Sequence, residues 1–253
     1  MDIVKYNRSA WDSYVDKKDR WTIPVSTEEL ENARNGVWNI VLTPTKPVPH
    51  DWFPPLKELK ILGLASGGGQ QGPILAMLGA DVTIFDNSAK QLQQDKTLSD
   101  KFNLDIKVVQ GDMKDLSVFA DHSFDLIFNP CSILFVENVL PVWKECYRIL
   151  KPNGILMTGL INPISFQLDE ENLKLLYKQP FSDIYSLPVE KLDDLKMKNE
   201  PLVFGHSLTD QIGGQLDVGF TITAMFEDTW NGENIMDEYL PAFIATRAIK
   251  PMK

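Results

Sequence analysis

Cysteine and histidine are scarce in this sequence. Its 253 residues include two cysteines, Cys131 and Cys146, and three histidines, His50, His122 and His206. Two cysteines in ordinary apolar surroundings indicate reduced thiols, so we expect a cytoplasmic protein. The histidines lie far apart and lack the short spacing that is typical of metal ligands, so no metal site is predicted.

Long apolar runs and an excess of basic residues are also missing. No segment approaches the roughly 18 consecutive apolar residues of a membrane-spanning helix, and the first residues, MDIVKYNRSAWDSY, are too polar for a signal peptide. Lys and Arg total 25 against 35 Asp and Glu, a formal net charge of -10. Such a surface repels phosphate backbones. We therefore expect neither a membrane nor a nucleic acid as partner, and the sequence does not indicate an oligomeric state.

The apolar content is sufficient for one large domain with additions, because hydrophobic residues make up 43% of the chain. Residues 1–55 are rich in Trp and Pro and contain helix-like segments. The clearest of these has Ser26 or Thr27 as its N-cap and Gly36 as its stop. We expect residues 1–55 to form a helical N-terminal cap and residues 56–253 to form the core.

Short apolar strands alternate with helical segments between residues 56 and 161. The strand-like segments are LKILGLA, DVTIFD, IKVVQGD, FDLIFNP and ILMTGLI. Apolar strands separated by helices are typical of a parallel sheet that is covered on both faces. Residues 163–205 break this pattern and are predicted to form an insert after strand five, with one helix at DEENLKLLYK. A helix with Ser207 as N-cap and two β-rich runs follow, and the short loop between the runs predicts an antiparallel pair.

A glycine-rich segment, ILGLASGGGQQGP, follows from the first strand into a helix. Such a turn lets backbone N–H groups approach a ligand closely, and Gly67, Gly69 and Gly72 match the G-x-G-x-x-G pattern of dinucleotide sites. The second strand ends in Asp86, and Asp112 follows the third. Carboxylates at these places can accept hydrogen bonds from ribose hydroxyls and from an exocyclic amine. Together the features predict an adenosine across three consecutive strand ends.

These segments resemble the motifs of class I S-adenosylmethionine-dependent methyltransferases, in particular the small-molecule type. Over residues 56–162, LKILGLASGGGQ resembles that family's first motif, FDNS its second, GDM its third, and CYRILKPNGILMTG the segment through the fifth strand. The resemblance implies an α/β, Rossmann-like, doubly wound and mostly parallel sheet of seven strands, whose antiparallel last strand lies between the fifth and the sixth. It also implies S-adenosylmethionine as cofactor. The residues that it implies for cofactor binding are Ala65, Ser66, Gly67, Gly69, Asp86, Asn87, Asp112, Met113 and Asn129.

The first motif departs from the family pattern at its start. The family usually carries an acidic residue two positions before its first glycine, and Gly63 stands there in this sequence. Ala65 occupies the place of that first glycine. In the family, the acid often helps to order the loop around the amino-acid end of the cofactor.

Methyl transfer to a small molecule by in-line displacement is the activity that the resemblance implies. From the Trp-rich N-terminal segment and the insert we expect the acceptor to be largely apolar. We expect the cap and the insert to cover the acceptor. Candidate pocket walls are Trp11, Tyr14, Trp21 and Trp38. His206 precedes a predicted helix and is the candidate catalytic base, with a structural hydrogen bond as the alternative role.

Two other functions stay open from the sequence. An NAD-dependent oxidoreductase would use the same G-x-G-x-x-G pattern and Asp86, although it does not explain GDM or LKPNG. A non-catalytic S-adenosylmethionine-binding protein would account for the missing acid at Gly63.

Overall fold

The computed structural model of the chain describes residues 1–169 and 174–252. Its α-helices are α1 (Ile3–Lys17), α2 (Thr27–Arg34), α3 (Gly72–Met77), α4 (Ala89–Phe102), α5 (Leu140–Ile149), α6 (Asp183–Ser186), α7 (Val189–Lys198) and α8 (Gly214–Asp217). Its strands are β1 (Lys60–Leu64), β2 (Asp81–Asp86), β3 (Ile106–Gln110), β4 (Phe124–Asn129), β5 (Leu150–Ile161), β6 (Phe181–Ser182), β7 (Phe204–Gly205), β8 (Thr221–Asp228) and β9 (Phe243–Ile249). Short 3-10 helices lie at Arg20–Thr22, His50–Trp52, Ile133–Phe135, Pro163–Phe166 and Ile235–Glu238, and a π-helical turn, Thr209–Gly213, leads into α8.

A seven-stranded sheet forms the centre of the molecule, in the order β3-β2-β1-β4-β5-β9-β8. The strands from β1 to β5 are parallel. Helices α3, α4 and α5 return the chain to the same end of the sheet after β1, β2 and β4, and a segment of turns does so between β3 and β4. The last strand, β9, runs antiparallel to both of its neighbours, β5 and β8. This order confirms the predicted fold class.

Both faces of the sheet are covered by apolar side chains. On one face α5 buries Trp143 and Cys146 in a cluster that includes Ile127. On the other face Leu42 of the N-terminal segment belongs to the same cluster as Phe128 of β4. The first 55 residues therefore pack into the hydrophobic core of the sheet.

The contact between the N-terminal segment and the sheet is close at Leu42. The Cys131 amide donates a hydrogen bond to the Leu42 carbonyl oxygen at 3.0 Å. A Cβ atom at Gly159 of β5 would lie 2.0 Å from the same oxygen. Glycine at position 159 therefore allows the backbone of the cap to lie directly on the central sheet.

Local signals account for α2. The Ser26 side chain accepts a hydrogen bond from the Glu29 amide, and the Glu29 side chain accepts one from the Ser26 amide, which is a complete capping box. Gly36 follows the helix with φ of +83°. The predicted N-cap and stop are confirmed here.

The insert differs from the prediction. The helix expected at DEENLKLLYK is wrong for residues 174–178, where Leu175 forms an isolated antiparallel bridge with Leu168; residues 170–173 lie outside the described residues. The insert's longer helix is α7, whose Leu192 and Leu195 pack in a cluster with Ile3 of α1. Contact with the cap, rather than a strong amphipathic pattern, therefore defines this helix. Nowhere in residues 1–169 and 174–252 is there a helix with both the length and the apolar character to cross a membrane.

Candidate functional site

A cavity of about 750 Å³ lies at the carboxyl ends of β1, β2, β3 and β4. Ligands bind at this edge of open parallel sheets, beside the point where the strand order reverses, which here lies between β1 and β4. The predicted cofactor residues that line the cavity are Ala65, Ser66, Gly67, Asp86, Asn87, Asp112 and Met113. The fold therefore brings most of the predicted site into one space.

The loop after β1 is held against the end of β2. Ala65 has φ of +46° and Gly68 has φ of +120°, values that favour glycine. The Gly67 amide donates to Asp86 Oδ2 at 2.9 Å. A Cβ atom at Gly67 would lie 3.0 Å from Asp86 Cγ, so a side chain there would push the carboxylate and the loop apart. Glycine at position 67 permits this approach.

Both oxygens of Asp86 contact backbone amides. Besides the bond from Gly67, Asp86 Oδ1 accepts from the Ser88 amide at 2.8 Å. Burial raises the pKa of the Asp86 carboxyl, whereas these amide hydrogen bonds lower it. Each carboxylate oxygen can accept two hydrogen bonds. Asp86 therefore keeps acceptor capacity for ligand hydroxyl groups on the side that faces the cavity.

The turn after β3 contributes a second carboxylate. Asp112 Oδ1 accepts from the Lys114 amide at 3.0 Å, and Oδ2 lies 3.5 Å from Lys114 Nζ. A Cβ atom at Gly111 would lie 2.2 Å from Phe85 Cζ, so glycine is needed where the chain crosses this ring. Asp112 and the adjacent Met113 both border the cavity.

Among the buried polar atoms of cavity-lining residues, Ser66 Oγ and Gln71 Oε1 beside the glycine-rich loop have no hydrogen-bond partner among the described residues. Buried polar groups are normally paired, because leaving them unpaired costs free energy. Such atoms are therefore suited to meeting a polar ligand. Ser66 also explains Gly63, because a Cβ atom at Gly63 would lie 2.4 Å from Ser66 Oγ. An acidic side chain at position 63 would displace Ser66 from the site.

Gly69 and Asn129 do not line the cavity. The Gly69 carbonyl accepts from the Val25 amide at 2.9 Å and so joins the loop to the cap. Asn129 is buried; it donates to the Leu64 carbonyl at 2.8 Å and to Ser132 Oγ at 2.7 Å. Asn129 thus connects the end of β1 to the loop after β4, beneath the wall of the cavity.

His206 also lies outside the main cavity. It borders a separate small cavity, which shares Cys131 and Ser132 with the main one. His206 Nε2 lies 3.1 Å from the Ile133 carbonyl oxygen, and burial lowers the pKa of its ring. The geometry corresponds to the structural alternative that the sequence left open for this residue.

Aromatic rings form another part of the cavity lining. Trp11 packs edge to face against Phe135 with ring centroids 5.1 Å apart, and Trp230 packs against Phe243 at 4.6 Å. These rings and Trp21 line the cavity. Edge-to-face packing favours defined ring orientations. The cavity therefore has an apolar, aromatic part besides its carboxylates.

Tyr14 and Trp38, the other two candidate wall residues, do not line the cavity. The Tyr14 hydroxyl donates to Glu200 Oε2, and burial together with this bond raises the pKa of the phenol. Trp38 stacks on His50 with centroids 4.1 Å apart. Tyr14 joins the cap to the insert, and Trp38 stabilises the connector that leads into β1.

Arg20 and Glu233 meet at the rim of the aromatic part. Arg20 Nη1 lies 2.8 Å from Glu233 Oε2, and the guanidinium carbon lies 4.5 Å from the centroid of the Trp21 ring. The guanidinium also lies 5.7 Å from the Trp230 ring. The rim therefore joins the cap to the loop between β8 and β9.

Ionisable side chains at the cavity have limited roles in proton transfer. Burial raises the pKa of the Cys131 thiol, which stays protonated. Both cysteines are free. Within the part of the chain that the structure describes, no group of three His, Cys, Asp or Glu residues could hold a metal ion.

The sequence missed Trp230, Gln71 and Asp95. Trp230 is the last residue of the predicted β-rich run FTITAMFEDTW, whereas β8 ends at Asp228 and leaves Trp230 in the loop. Gln71 lies two residues after the glycine triplet Gly67–Gly69 and could have been found by its position. Asp95 accepts a hydrogen bond from the Gly68 amide at 2.9 Å, but in the sequence it is one polar residue of a helix among several.

Comparison with known proteins gives results for the whole chain and for its core. A family model described as "Methyltransferase domain" matches residues 62–158. The uncharacterized methyltransferase YbaJ of Bacillus subtilis (strain 168) is 51% identical over 253 residues, and the match covers 98% of each chain. A ubiquinone biosynthesis O-methyltransferase from Pelagibacter ubique (strain HTCC1062) is 32% identical over 111 residues, 43% of this chain and 44% of that protein.

A solved structure gives a further comparison. The S-adenosylmethionine dependent methyltransferase from Mesorhizobium loti superposes with a TM-score of 0.61 at 19% identity. The superposition covers 79% of this chain and 94% of that chain. At this identity the likeness concerns the fold alone.

Proposed function

Because the chain belongs to the class I S-adenosylmethionine-dependent methyltransferase family, we propose that it methylates a small, largely apolar acceptor by in-line displacement. The observation that carries the proposal is one cavity that is lined both by the carboxylates Asp86 and Asp112 and by aromatic rings, among them Trp11 and Trp230. We call these two sets of lining residues its polar end and its aromatic end. A methyltransferase needs both in one space, because the methyl donor and the acceptor must be held in contact and in line.

We assign the polar end to the cofactor. The spare acceptor capacity of Asp86 fits ribose hydroxyls, and Asp112 with the backbone at Met113 fits the adenine edge. The unpaired Ser66 Oγ and Gln71 Oε1 fit further polar groups of the ligand. When bound, S-adenosylmethionine supplies an activated methyl group on its sulfonium.

We assign the aromatic end to the acceptor. Its walls come from the cap (Trp11, Trp21), from the segment after β4 (Phe135) and from the last two strands and their loop (Trp230, Phe243). Pockets for small molecules are mostly apolar with a few polar groups, and aromatic walls favour a flat apolar body. The size and lining of this end suit a small molecule better than a polymer.

The chain's own contribution is orientation of the acceptor and exclusion of water. Of the described residues that line the cavity, the ionisable ones are Arg20, Glu29, Asp86, Asp112 and Cys131. Glu29 accepts from the Ser26 amide in the capping box, and Cys131 stays a thiol. Positioning alone supplies on the order of 7–11 kcal/mol in model reactions. We therefore give His206 a packing role and assign no base to this chain.

We infer a cytoplasmic enzyme whose partners are small molecules. The net charge of -10 disfavours nucleic acid, and the free Cys131 and Cys146 suit a reducing compartment. Fractionation of cells that produce the tagged protein would check the location. Recovery of the protein with the membrane fraction would contradict this part of the proposal.

Binding and turnover experiments test the function. Calorimetry should detect S-adenosylhomocysteine binding to the purified protein and none of NAD. The protein should then be incubated with S-adenosylmethionine and a library of flat apolar acceptors, and products that gain one methyl group should be identified by mass spectrometry. A matched library of highly charged acceptors serves as the control.

Each outcome separates the candidate functions. Methylation confined to the apolar library supports the proposal. Preferential turnover of the charged acceptors contradicts the assignment of the aromatic end. Binding of S-adenosylhomocysteine without methylation in either library, or in a metabolite extract, would favour a non-catalytic binding protein.

A further inference from the structure

Asp95 lies in the middle of α4, directly behind the loop that follows β1. It is fully buried, and its Oδ2 accepts a hydrogen bond from the Gly68 amide at 2.9 Å. Ser66 and Gly67 line the cavity, whereas Gly68 and Asp95 do not. Asp95 therefore contacts the loop from the side opposite to the ligand space.

The second oxygen of Asp95 is also buried, and Oδ1 has no hydrogen-bond partner among the described residues. A Cβ atom at Gly72 would lie 3.1 Å from this oxygen, so even the first residue of α3 fits closely around the carboxylate. Burying a carboxylate with an unpaired oxygen is costly, and a simple packing role does not require it.

Two carboxylates hold successive amides of the loop. Asp86 accepts from Gly67 at the cavity side, and Asp95 accepts from Gly68 at the rear. Together they fix two successive peptide groups, Ser66–Gly67 and Gly67–Gly68, in a glycine-rich loop where Gly68 has φ of +120° and the backbone has wide conformational freedom. The orientation of the cavity-lining residues Ser66 and Gly67 depends on this arrangement.

Strand β1 carries no such carboxylate, because Gly63 stands where the family usually has an acid. A Cβ atom at Gly63 would lie 2.4 Å from Ser66 Oγ and 2.6 Å from Ile84 Cδ1, so a side chain there would require both of these side chains to move. The carboxylate that contacts the loop from behind comes instead from α4.

We propose that Asp95 is a positioning residue for cofactor binding, which holds the Gly68 amide from behind and thereby sets the shape of the loop that faces the cofactor. The proposal rests on the proposed function, because it takes the cavity to be the S-adenosylmethionine site. It extends that function to a residue that touches neither ligand.

The charges around Asp95 make this role sensitive to pH. Burial raises the pKa of Asp95, the Gly68 and Gly69 amides lower it, nearby Asp86 raises it, and the net result is a pKa of about 7. The loop GGGQQ and helix α3 carry no ionisable side chain. Helix α1 presents Asp12 and Asp16 to Ser88 and Lys90 at the start of α4. The ionised carboxylate is the better acceptor for Gly68, so loop order should increase with pH near neutrality.

Binding of S-adenosylhomocysteine, measured by calorimetry from pH 6 to 8, tests the proposal. Wild-type affinity should rise with pH. Asp95→Asn keeps an acceptor oxygen but cannot ionise, so it should bind within a few-fold of wild type at low pH and lose the rise. Asp95→Leu has no acceptor and should bind about tenfold more weakly or worse. Asp100→Asn, an exposed position of the same helix, is the matched control and should keep the wild-type profile.

Nuclear magnetic resonance of the ligand-free protein gives a readout that does not depend on the cofactor or on Asp95→Leu folding. The Gly68 amide proton should shift with pH with a midpoint near 7 in wild type and should not do so in Asp95→Asn. A flat Gly68 titration in wild type would overturn the pH dependence. A Gly68 amide shift that is the same in wild type and Asp95→Asn at every pH, or equal binding by wild type and Asp95→Leu, would overturn the role of Asp95 while leaving the proposed function intact. Failure of wild type to bind S-adenosylhomocysteine would instead overturn the proposed function, and the cofactor role of Asp95 with it.

Discussion

The Arg20 guanidinium and the Glu233 carboxylate, 213 residues apart in the chain, meet at 2.8 Å at the rim of the cavity. Trp21 and Trp230 both lie near the guanidinium, at 4.5 and 5.7 Å from its central carbon, and their ring centroids are 6.1 Å apart. One partner of the ion pair belongs to the N-terminal cap, and the other to the loop between β8 and β9. An ion pair between two segments that are distant in the sequence therefore lies at the rim of the aromatic end.

Breaking this ion pair should loosen the rim without unfolding the protein. In Glu233→Gln the pair is lost, but exposed ion pairs contribute only about 0–1 kcal/mol, and both side chains are more than half exposed. We expect the free energy of unfolding to change by less than about 1 kcal/mol, and acrylamide to quench tryptophan fluorescence more strongly. Glu31→Gln, which breaks the exposed Arg34–Glu31 pair of α2, is the control. Equal quenching in the two variants would contradict the claim that the Arg20–Glu233 ion pair holds the rim of the cavity together.

Removing the aspartate at one end of β2 should weaken cofactor binding, whereas removing the aspartate at the other end should not. Asp86→Ala removes a carboxylate that holds the Gly67 and Ser88 amides and faces the cavity. Hydrogen bonds to charged groups contribute about 1.5–3 kcal/mol, so S-adenosylhomocysteine affinity should fall by about tenfold or more. Asp81→Ala, at the other end of the strand, removes an exposed pair with Lys107 and should leave the affinity unchanged. Calorimetry measures both, and equal losses would argue against Asp86 as a cofactor contact.

Replacing His206 should affect stability more than cofactor binding. His206 is buried, with Nε2 3.1 Å from the Ile133 carbonyl oxygen, and it lies outside the main cavity. We expect His206→Gln to lose about 1–3 kcal/mol of unfolding free energy and to bind S-adenosylhomocysteine within about threefold of wild type. Once an acceptor is known, kcat should change equally little. His50→Gln, at an exposed histidine, is the control for the substitution itself. A loss of kcat at unchanged stability would restore His206 as the base.

The free energy of unfolding should depend on pH because Asp95 titrates at a different pH in the folded and the unfolded protein. Its pKa is raised from an ordinary value of 3.8 to about 7, so between these values the folded protein holds a proton that the unfolded chain has released. The free energy of unfolding should therefore fall as pH rises from about 4 to about 7, by up to about 1.4 kcal/mol per pH unit, and level off above.

Urea unfolding between pH 4.5 and 8 measures this slope. Asp95→Asn should flatten it and be more stable than wild type at pH 8, because the buried charge is gone. Asp86, whose pKa is also raised, contributes in the same direction in both proteins. Asp100→Asn should retain the wild-type slope, and identical slopes for wild type and Asp95→Asn would refute the buried, titrating carboxylate.

Features with a local signal were predictable from the sequence. The capping box at Ser26 and Glu29 and the N-cap Ser88 of α4 act within four residues, so short motifs identify them. The antiparallel pairing of β8 and β9 follows from two β-rich runs around a short loop. The cavity-lining residues Asp86 and Asp112 were found because the carboxyl ends of parallel strands meet at one edge.

Features set by distant contacts were not predictable. Helix α7 has no buried residue of its own, and its place depends on packing against α1. Trp230 becomes a cavity wall only because the loop between β8 and β9 reaches the cap. Asp95 looks like a solvated helix residue until the fold brings the Gly68 amide to it.

The close contact between the Leu42 carbonyl oxygen and Gly159 limits how the acceptor specificity of the protein can be engineered. Leu42 borders the cavity, and its carbonyl oxygen would lie 2.0 Å from a Cβ atom at position 159. A cap grafted from a relative would fit only a host that also lacks a side chain at this position of the central sheet. Substitution of a single wall residue such as Trp11 or Trp230 does not affect the contact between Leu42 and Gly159. It is therefore the simpler way to change the acceptor specificity.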